Sequence, residues 1–312
     1  MYEFQSFVCL LTGMDISNAS LYDGASALAE AALLCFSYND RSRIYVKNGL
    51  HPHYLQVLKT YCNAANLEIT DKIDEKTSCV IAQNPDFYGN AENLARLADQ
   101  AHKAGALFVV CVVEPTSLAV LRAPADYGAD IVVGEGQSFG ISTNFGGPYL
   151  GFLATKDFLL KKIPGRICGM TADSKGNKGF VLTFQAREQH IRRERATSNI
   201  TTNQGLMALA ATIYLALMGR NGLRTVAGIS YARAHSLQRK LQGLGFKILN
   251  DRPFYNEFLV QTPKPAVEIL SKLSENGIHG GLEVGQDKIL VCCTETNTAQ
   301  DIECYVSIVR ES

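Results

Sequence analysis

The sequence predicts an α/β protein built on a mostly parallel sheet, and three features carry the prediction. Short apolar runs at 43–46, 67–70, 79–83 and 107–113 alternate with helical stretches. That is the rhythm of right-handed βαβ units, whose helices run to ~10–15 residues. The run at 107–113, LFVVCVV, is apolar throughout, as a strand buried on both faces must be. Residues 128–151, GADIVVGEGQSFGISTNFGGPYLG, read as strand, glycine-rich loop, strand. In open α/β sheets the loop leaving the carboxyl end of a strand is where ligands sit.

In chain order, residues 4–11 have the pattern of an amphipathic helix. Turn residues at 18–22 lead to Asp23, a plausible N-cap, and then to an alanine-rich run at 25–36 that reads as a buried helix. Ser20, Asp23, Gly24 and Ser26 could present N–H groups and hydroxyls to an anion such as phosphate, although an ordinary cap explains the same residues and is the preferred reading. A strand at 43–46 exits through Gly49-Leu50-His51-Pro52, followed by a helix to about residue 64. His51 stands where a ligand-stacking ring can sit, but a lone histidine there is more often a packing or capping residue. The turn cluster at 84–89 leads into a helix at 92–104, and 107–113 follows as the buried strand.

Two motifs overlap in the glycine-rich loop. Gly134-Glu135-Gly136 begins like a nucleotide-binding G-x-G-x-x-G, but the third glycine falls one residue late, at Gly140. Gly136-Gln137-Ser138-Phe139-Gly140 matches the G-x-S-x-G nucleophile elbow, which would make Ser138 the nucleophile of a serine hydrolase. Both motifs require a helix immediately afterwards, and Asn144-Phe145-Gly146-Gly147-Pro148 breaks any helix there.

Beyond the second strand of this region lie a short basic helix at 156–162, a polar surface turn at 171–178 and a strand at 180–184. Residues 185–200 form the second dense stretch, in which Arg187, His190, Arg192, Arg193 and Arg195 alternate with Glu188 and Glu194. Glu188 and Arg192 are an i,i+4 pair in the favourable order. The stretch reads equally as a solvated helix face or as a helix contacting an anion or a subunit, since arginine forks suit phosphate and carboxylate. A long apolar helix at 206–218 ends near Asn221-Gly222, which divides a large domain, 1–220, from a small α/β domain, 221–312. In the small domain, strands at 246–249, 257–261 and 288–293 alternate with helices at 265–276 and 299–309, and 277–285 is a glycine-rich turn.

Composition excludes several classes. Apolar residues make up 46% and charged residues 19%, as in a soluble globular protein. Thirty basic and thirty acidic residues cancel, leaving no electrostatic footprint for nucleic acid or anionic lipid. The nine cysteines lack a C-x-x-C pair, and Cys9, Cys35, Cys79 and Cys111 lie in apolar runs, which fits a reducing cytoplasm and gives no metal site. No run reaches the ~18 consecutive apolar residues of a membrane span, and the first residues lack a signal peptide's basic region.

Taken together, several segments resemble the first (α) subunit of glycine decarboxylase, the P-protein of the glycine cleavage system. They are Leu11-Thr12-Gly13-Met14-Asp15, Asn18-Ala19-Ser20-Leu21-Tyr22-Asp23-Gly24, Gly134-Glu135-Gly136-Gln137-Ser138, Phe145-Gly146-Gly147-Pro148 and residues 187–200. The segments are long, correctly ordered and spread along the chain. The resemblance implies the type I fold of enzymes using pyridoxal 5′-phosphate (PLP), with helices on both faces of the sheet. It also implies a heterotetramer in which the PLP-bearing lysine belongs to the β subunit. This chain has Gln137 where the fold places that lysine, and an amide nitrogen is no nucleophile. Lys156, the nearest downstream lysine, reads as a solvated helix terminus. Glu114-Pro115 follows the 107–113 strand where such enzymes pair the pyridine nitrogen with an aspartate.

The implied reaction is decarboxylation of glycine on the partner's PLP, with the aminomethyl group passed to the lipoylated H-protein. Catalytic residues of its own are not expected. Ser20, Asp23, His51 and Gln137 would line a degenerate pocket. Thr197, Ser198 and Asn199 would reach the partner's phosphate, ordered by Arg187, His190 and Arg193. A non-catalytic scaffold or docking subunit of the same complex is the alternative. Family members also carry an amino-terminal stretch ahead of Glu3-Phe4-Gln5, so the chain is expected to be a truncation, a split gene or a partial product.

Overall fold

The computed structural model describes residues 1–185, 188–196, 198–200 and 202–311. Arg187 and Thr197 therefore lie outside the described residues. The chain divides into two compact units, Met1–Asn84 with Asn93–Gly219, and Pro85–Glu92 with Arg220–Ser312.

The first unit opens with helix α1 (Tyr2–Thr12) and the two-residue strand β1 (Ile16–Ser17). Then come α2 (Gly24–Asn39), β2 (Arg43–Val46), α3 (Pro52–Ala64), β3 (Glu68–Thr70) and β4 (Thr77–Gln83). Helix α4 (Ala95–Lys103), β5 (Leu107–Val112), β6 (Ile131–Glu135) and β7 (Gly151–Thr155) complete a seven-stranded sheet of order β1-β7-β6-β5-β4-β2-β3. Strands β6, β5, β4, β2 and β3 run parallel, while β7 lies antiparallel to both β6 and β1.

The central strands are apolar over most of their length because both faces are covered, with Thr77, Ser78 and Gln83 of β4 and Glu135 of β6 as polar exceptions. Cys79, Ile81, Val109, Cys111, Ile131 and Val133 share a core with α2 and α3. Their neighbours Val80, Ala82, Phe108, Val110 and Val132 are equally buried and point to the opposite face, as strand alternation requires. Helix α4 packs on β4 and β5, and α1 on β1 and β7. Helix α2 is apolar almost all round, and alanine at 25, 27, 29, 31 and 32 lets it sink into the layer.

After β7 the structure departs from the sequence reading. The basic helix expected at 156–162 is only a short 3₁₀ turn, Asp157–Leu159. The expected polar turn at 171–178 is the tip of a hairpin made by β8 (Ile167–Ala172) and β9 (Lys178–Thr183). Asp173 builds that tip by accepting the N–H groups of Lys175 and Asn177, each at 2.8 Å. The arginine-rich stretch is helical only over α5 (Gln189–Arg192), because Arg193, at φ 53 and ψ −123, turns the chain out.

Helix α6 (Gly205–Gly243) carries a break at Gly219, where φ 56 and ψ −173 are open to glycine and costly to other residues. The length and composition of α6 alone would allow a membrane span, but the break at Gly219 divides it into two shorter helical parts.

The second unit has β10 (Lys247–Ile248), β11 (Glu257–Gln261), α7 (Ala266–Glu275), β12 (Leu282–Gly285), β13 (Lys288–Cys292) and α8 (Ala299–Arg310). Its sheet, β10-β11-β13-β12, is antiparallel throughout. Strand β12 occupies the segment read as a glycine-rich turn. A core of Leu237, Phe246, Phe258, Val260, Ile289 and Val306 fills this unit. Residues 85–92 join it through a bridge between Asn90 and Phe254 and an ion pair of Glu92 with Arg252.

Candidate functional site

The carboxyl end of β6 meets the head of α2, and a half-buried glutamate occupies the junction. Glu135, the last residue of β6, accepts three backbone N–H groups: Leu150 at 2.8 Å, Gln137 at 3.1 Å and Gly24 at 3.0 Å. Burial pushes its carboxyl up, and those N–H bonds pull against the shift without cancelling it. The Gly24 N–H belongs to the first turn of α2, where orphan amides and the helix dipole favour negative charge. A Cβ on Gly24 would run into the Tyr54 hydroxyl and the backbone of Gly134 and Glu135, so only glycine fits. Asp23 caps the same turn, accepting the N–H and the hydroxyl of Ser26 at 2.8 Å each.

The residues expected to line a degenerate pocket are thus structurally employed. Asp23 is the N-cap of α2. Ser20, held at φ 100, points its hydroxyl away and accepts the Gln204 N–H at 3.0 Å. His51 is the N-cap of α3: its Nδ1 accepts the His53 N–H at 3.2 Å, and its own N–H donates to Gln83 at 2.8 Å. Burial, and then His53, hold its imidazole below the usual range. Gln137 directs its amide to the Ser142 carbonyl at 3.4 Å.

Glu114 is likewise committed. One oxygen accepts the Thr116 N–H at 3.0 Å and hydroxyl at 2.6 Å, and the other accepts the Ser138 hydroxyl at 2.9 Å. Ser138 therefore donates to a carboxylate, and no histidine bonds it among the described residues, which leaves the hydrolase reading without a base. Lys156 faces Asp15 at 3.9 Å on the far side of β7 from this loop.

In the second expected element, His190 Nδ1 lies 3.6 Å from the mostly buried Glu188 carboxylate, and Arg193 is exposed. The Ser198 hydroxyl oxygen accepts the Ile200 N–H at 3.1 Å, and Asn199 is exposed. Ser198 and Asn199 line a cavity of about 320 Å³ together with Glu30 and Tyr61.

Glu30 and Glu135 were not singled out in the sequence, although both left a signal. Glu30 is the one charged residue in the run at 24–36, and Glu135 is the one charged residue where an apolar strand becomes a glycine loop.

The strand order, with one antiparallel strand at the β7 position, defines the class: an α/β protein of the type I PLP-dependent transferase fold. A Burkholderia pseudomallei sphingosine-1-phosphate lyase of 13% identity shares this fold with a TM-score of 0.73. A family model described as the glycine cleavage system P-protein matches residues 1–309, and the chain belongs to that family. It is 48% identical to a protein of Thermomicrobium roseum named probable glycine dehydrogenase (decarboxylating) subunit 1, over 100% of this chain and 75% of the relative. The protein of that name from Desulforamulus reducens is 47% identical, over 97% of this chain and 73% of the relative. A crystal structure of glycine decarboxylase (P-protein) in inhibitor-bound form superposes with a TM-score of 0.96 at 41% identity, covering 99% of this chain and 74% of that one.

The pocket of this chain does not fit the cofactor of its fold class. Of the amides at the head of α2, that of Gly24 ends on Glu135, as do those of Gln137 and Leu150 in the following loop. Gln137 offers no amine, and Glu114 is held by Thr116 and Ser138.

Proposed function

We propose that this chain is the lysine-free subunit of a glycine decarboxylase and acts with a second subunit of the same fold that carries PLP on its own lysine. The observation that supports the reading is that Glu135 takes the N–H groups of Gly24, Gln137 and Leu150 beside the head of α2, leaving none of the three for a phosphate. On this reading, decarboxylation of glycine takes place at the partner's site, and the aminomethyl group leaves on the lipoyl arm of the H-protein. The complex would be a cytoplasmic heterotetramer. On this reading the chain's contribution is the wall it presents, with Thr197, Ser198 and Asn199 reaching the partner's phosphate and Arg187, His190 and Arg193 ordering that stretch.

A partner surface is available on the first unit. Phe180, Val181, Leu182 and Phe184 are exposed along and just after β9, and Leu206, Leu209, Ile213 and Leu217 are exposed at helical spacing along α6. Apolar surface of this extent is a feature of chains that work in complexes.

The test is to incubate the chain with PLP, alone and together with the lysine-bearing subunit, reduce with borohydride and locate the adduct by mass. An adduct confined to the partner, and retained better in the mixture than on the partner alone, supports the proposal. An adduct on a lysine of this chain overturns it.

A further inference from the structure

Residues 136–150 leave β6 as a loop whose base is fixed and whose tip is not. At the base, the Gly136 N–H donates to the Leu150 carbonyl at 2.6 Å, and the Ile141 N–H donates to the Gln137 carbonyl at 3.1 Å. Gly140, at φ 80, lies so close to the Tyr214 side chain of α6 that a Cβ would stand 2.7 Å from it. Beyond this seat the chain stands clear: residues 142–146 are exposed, and a Cβ on Gly146 would meet nothing within 4 Å. There Phe145 is 96% exposed, the most exposed large apolar side chain among the described residues. Its backbone is held at φ 51, a region uncommon for a bulky residue and costly to keep.

A single exposed apolar side chain is ordinary. Phe145 belongs to a larger surface. Leu206, Leu209, Ile213 and Leu217 recur at helical spacing as one stripe along α6, and each is more than half exposed. Tyr214, on which the loop is seated, neighbours Leu217 at i,i+3, so the loop borders the end of that stripe. Neither 136–150 nor 205–219 contains a charged residue. Solvated surface is rich in charge, whereas the centre of a protein interface is depleted of it and enriched in aromatic side chains.

We propose that Phe145 is the anchor by which this chain docks to the lysine-bearing subunit, its ring entering an apolar recess of the partner while the α6 stripe packs alongside. The proposal rests on the shared-site reading above, and relatives named subunit 1 belong with a second subunit. The occupant is a folded body and not a small ligand, because it must cover the loop tip together with the stripe at 206–217, roughly 16 Å of helix at about 1.5 Å per residue. Aromatic side chains in desolvated pockets carry most of the affinity of such interfaces. The fixed base holds the ring outward before contact, so little ordering remains to be done on docking.

The test titrates the lysine-bearing subunit into this chain by calorimetry, as wild type, Phe145→Ala, Phe145→Trp and Val267→Ala, the last an exposed apolar side chain of α7 that serves as control. The chain has no tryptophan, so Phe145→Trp also sets a single indole reporter at the loop tip. With the ring in solvent, each variant alone should melt with wild type. Loss of an aromatic anchor predicts a dissociation constant raised about thirtyfold in Phe145→Ala and within about twofold of wild type in Val267→Ala. Indole emission, taken as the difference from the wild-type mixture, should shift to the blue as the partner is added. Should the indole be too large for the recess, the Phe145→Ala constant decides the matter. Affinity within about twofold of wild type in Phe145→Ala, an equal loss in Val267→Ala, or a bound indole that still emits as in water overturns the proposal. Failure of the wild-type chain to bind the partner at all overturns the shared-site reading itself.

Discussion

Replacing Glu30 with glutamine is expected to change how the stability of the chain responds to pH. In the folded chain burial raises the Glu30 carboxyl from 4.5 to about 7, whereas the unfolded chain leaves it near its ordinary value. Between these two values the folded state holds a proton that the unfolded state has lost, so stability falls as pH rises. The contribution is fully present below about pH 4.5, is lost progressively up to about pH 7, and stays lost above it. A displacement from 4.5 to about 7, at about 1.36 kcal/mol for each pH unit, amounts to roughly 3 kcal/mol. Glutamine fills the same volume without ionising.

The expected result is therefore a difference of about 3 kcal/mol in the wild-type-to-variant gap between pH 4.5 and pH 8, with the variant gaining on wild type at the alkaline end. In thermal melts this corresponds to roughly 6–12 °C for a unit of this size. Melts and urea titrations of both proteins across that range supply the comparison, and subtracting the curves removes every other titrating group. Parallel curves would refute the reasoning, because they would mean that Glu30 is as ionised in the folded chain as in the unfolded one.

Glu135→Ala strands three amides, those of Gly24, Gln137 and Leu150, and should cost about 3 kcal/mol in a denaturant titration, at about 1 kcal/mol or more for each unpaired group. Thr155 is fully buried in β7 with a hydroxyl that has no partner, so Thr155→Val should stabilise the chain by about 1 kcal/mol, read as a higher urea midpoint at unchanged slope. Gln137→Lys alone should yield no borohydride-fixed adduct with PLP, since Glu135 still fills the anion site. An adduct on the new lysine in that single variant would show the site to be open.

The strands at 79–83 and 107–113 are legible because burial on both faces leaves them almost wholly apolar, Gln83 being the exception. The edges are not. Both faces of β8 and β9 are largely exposed, so Lys178, Gly179 and Thr183 sit among Phe180, Val181 and Leu182 with no alternation to read. The segment at 189–195 has the composition of a helix, yet its charges bond locally, Glu188 to His190 and Glu194 to Arg195, and nothing apolar holds a long helix against the sheet. The joint near Asn221-Gly222 lies two residues past the actual break, because the glycine that matters is the one at positive φ, Gly219, and sequence does not rank neighbouring glycines. That residues 85–92 belong with 220–312 is a long-range pairing with no local signal.

The two glutamates explain why the candidate site was only half legible. A motif search looks for groups a site has gained, such as a lysine, a base or a third glycine. In this chain the informative residue is one that closes a site. A helix terminus aimed at a strand end carries amides that must be paired by something, whether a ligand, water or a side chain. On the proposed reading, with Gln137 where the fold's amine would stand, a phosphate has no covalent anchor, and a carboxylate reaching from β6 pairs nearby amides at no translational cost. Glu135 makes one bond to α2 and two to its own loop, so the occupant also ties the 136–150 loop to the sheet. Among the described residues no N–H donates to Glu30, and burial dominates it. The number of N–H groups aimed at each carboxyl thus separates a fixed internal anion from a group whose charge can still change, and that number is set by tertiary geometry the sequence does not spell out.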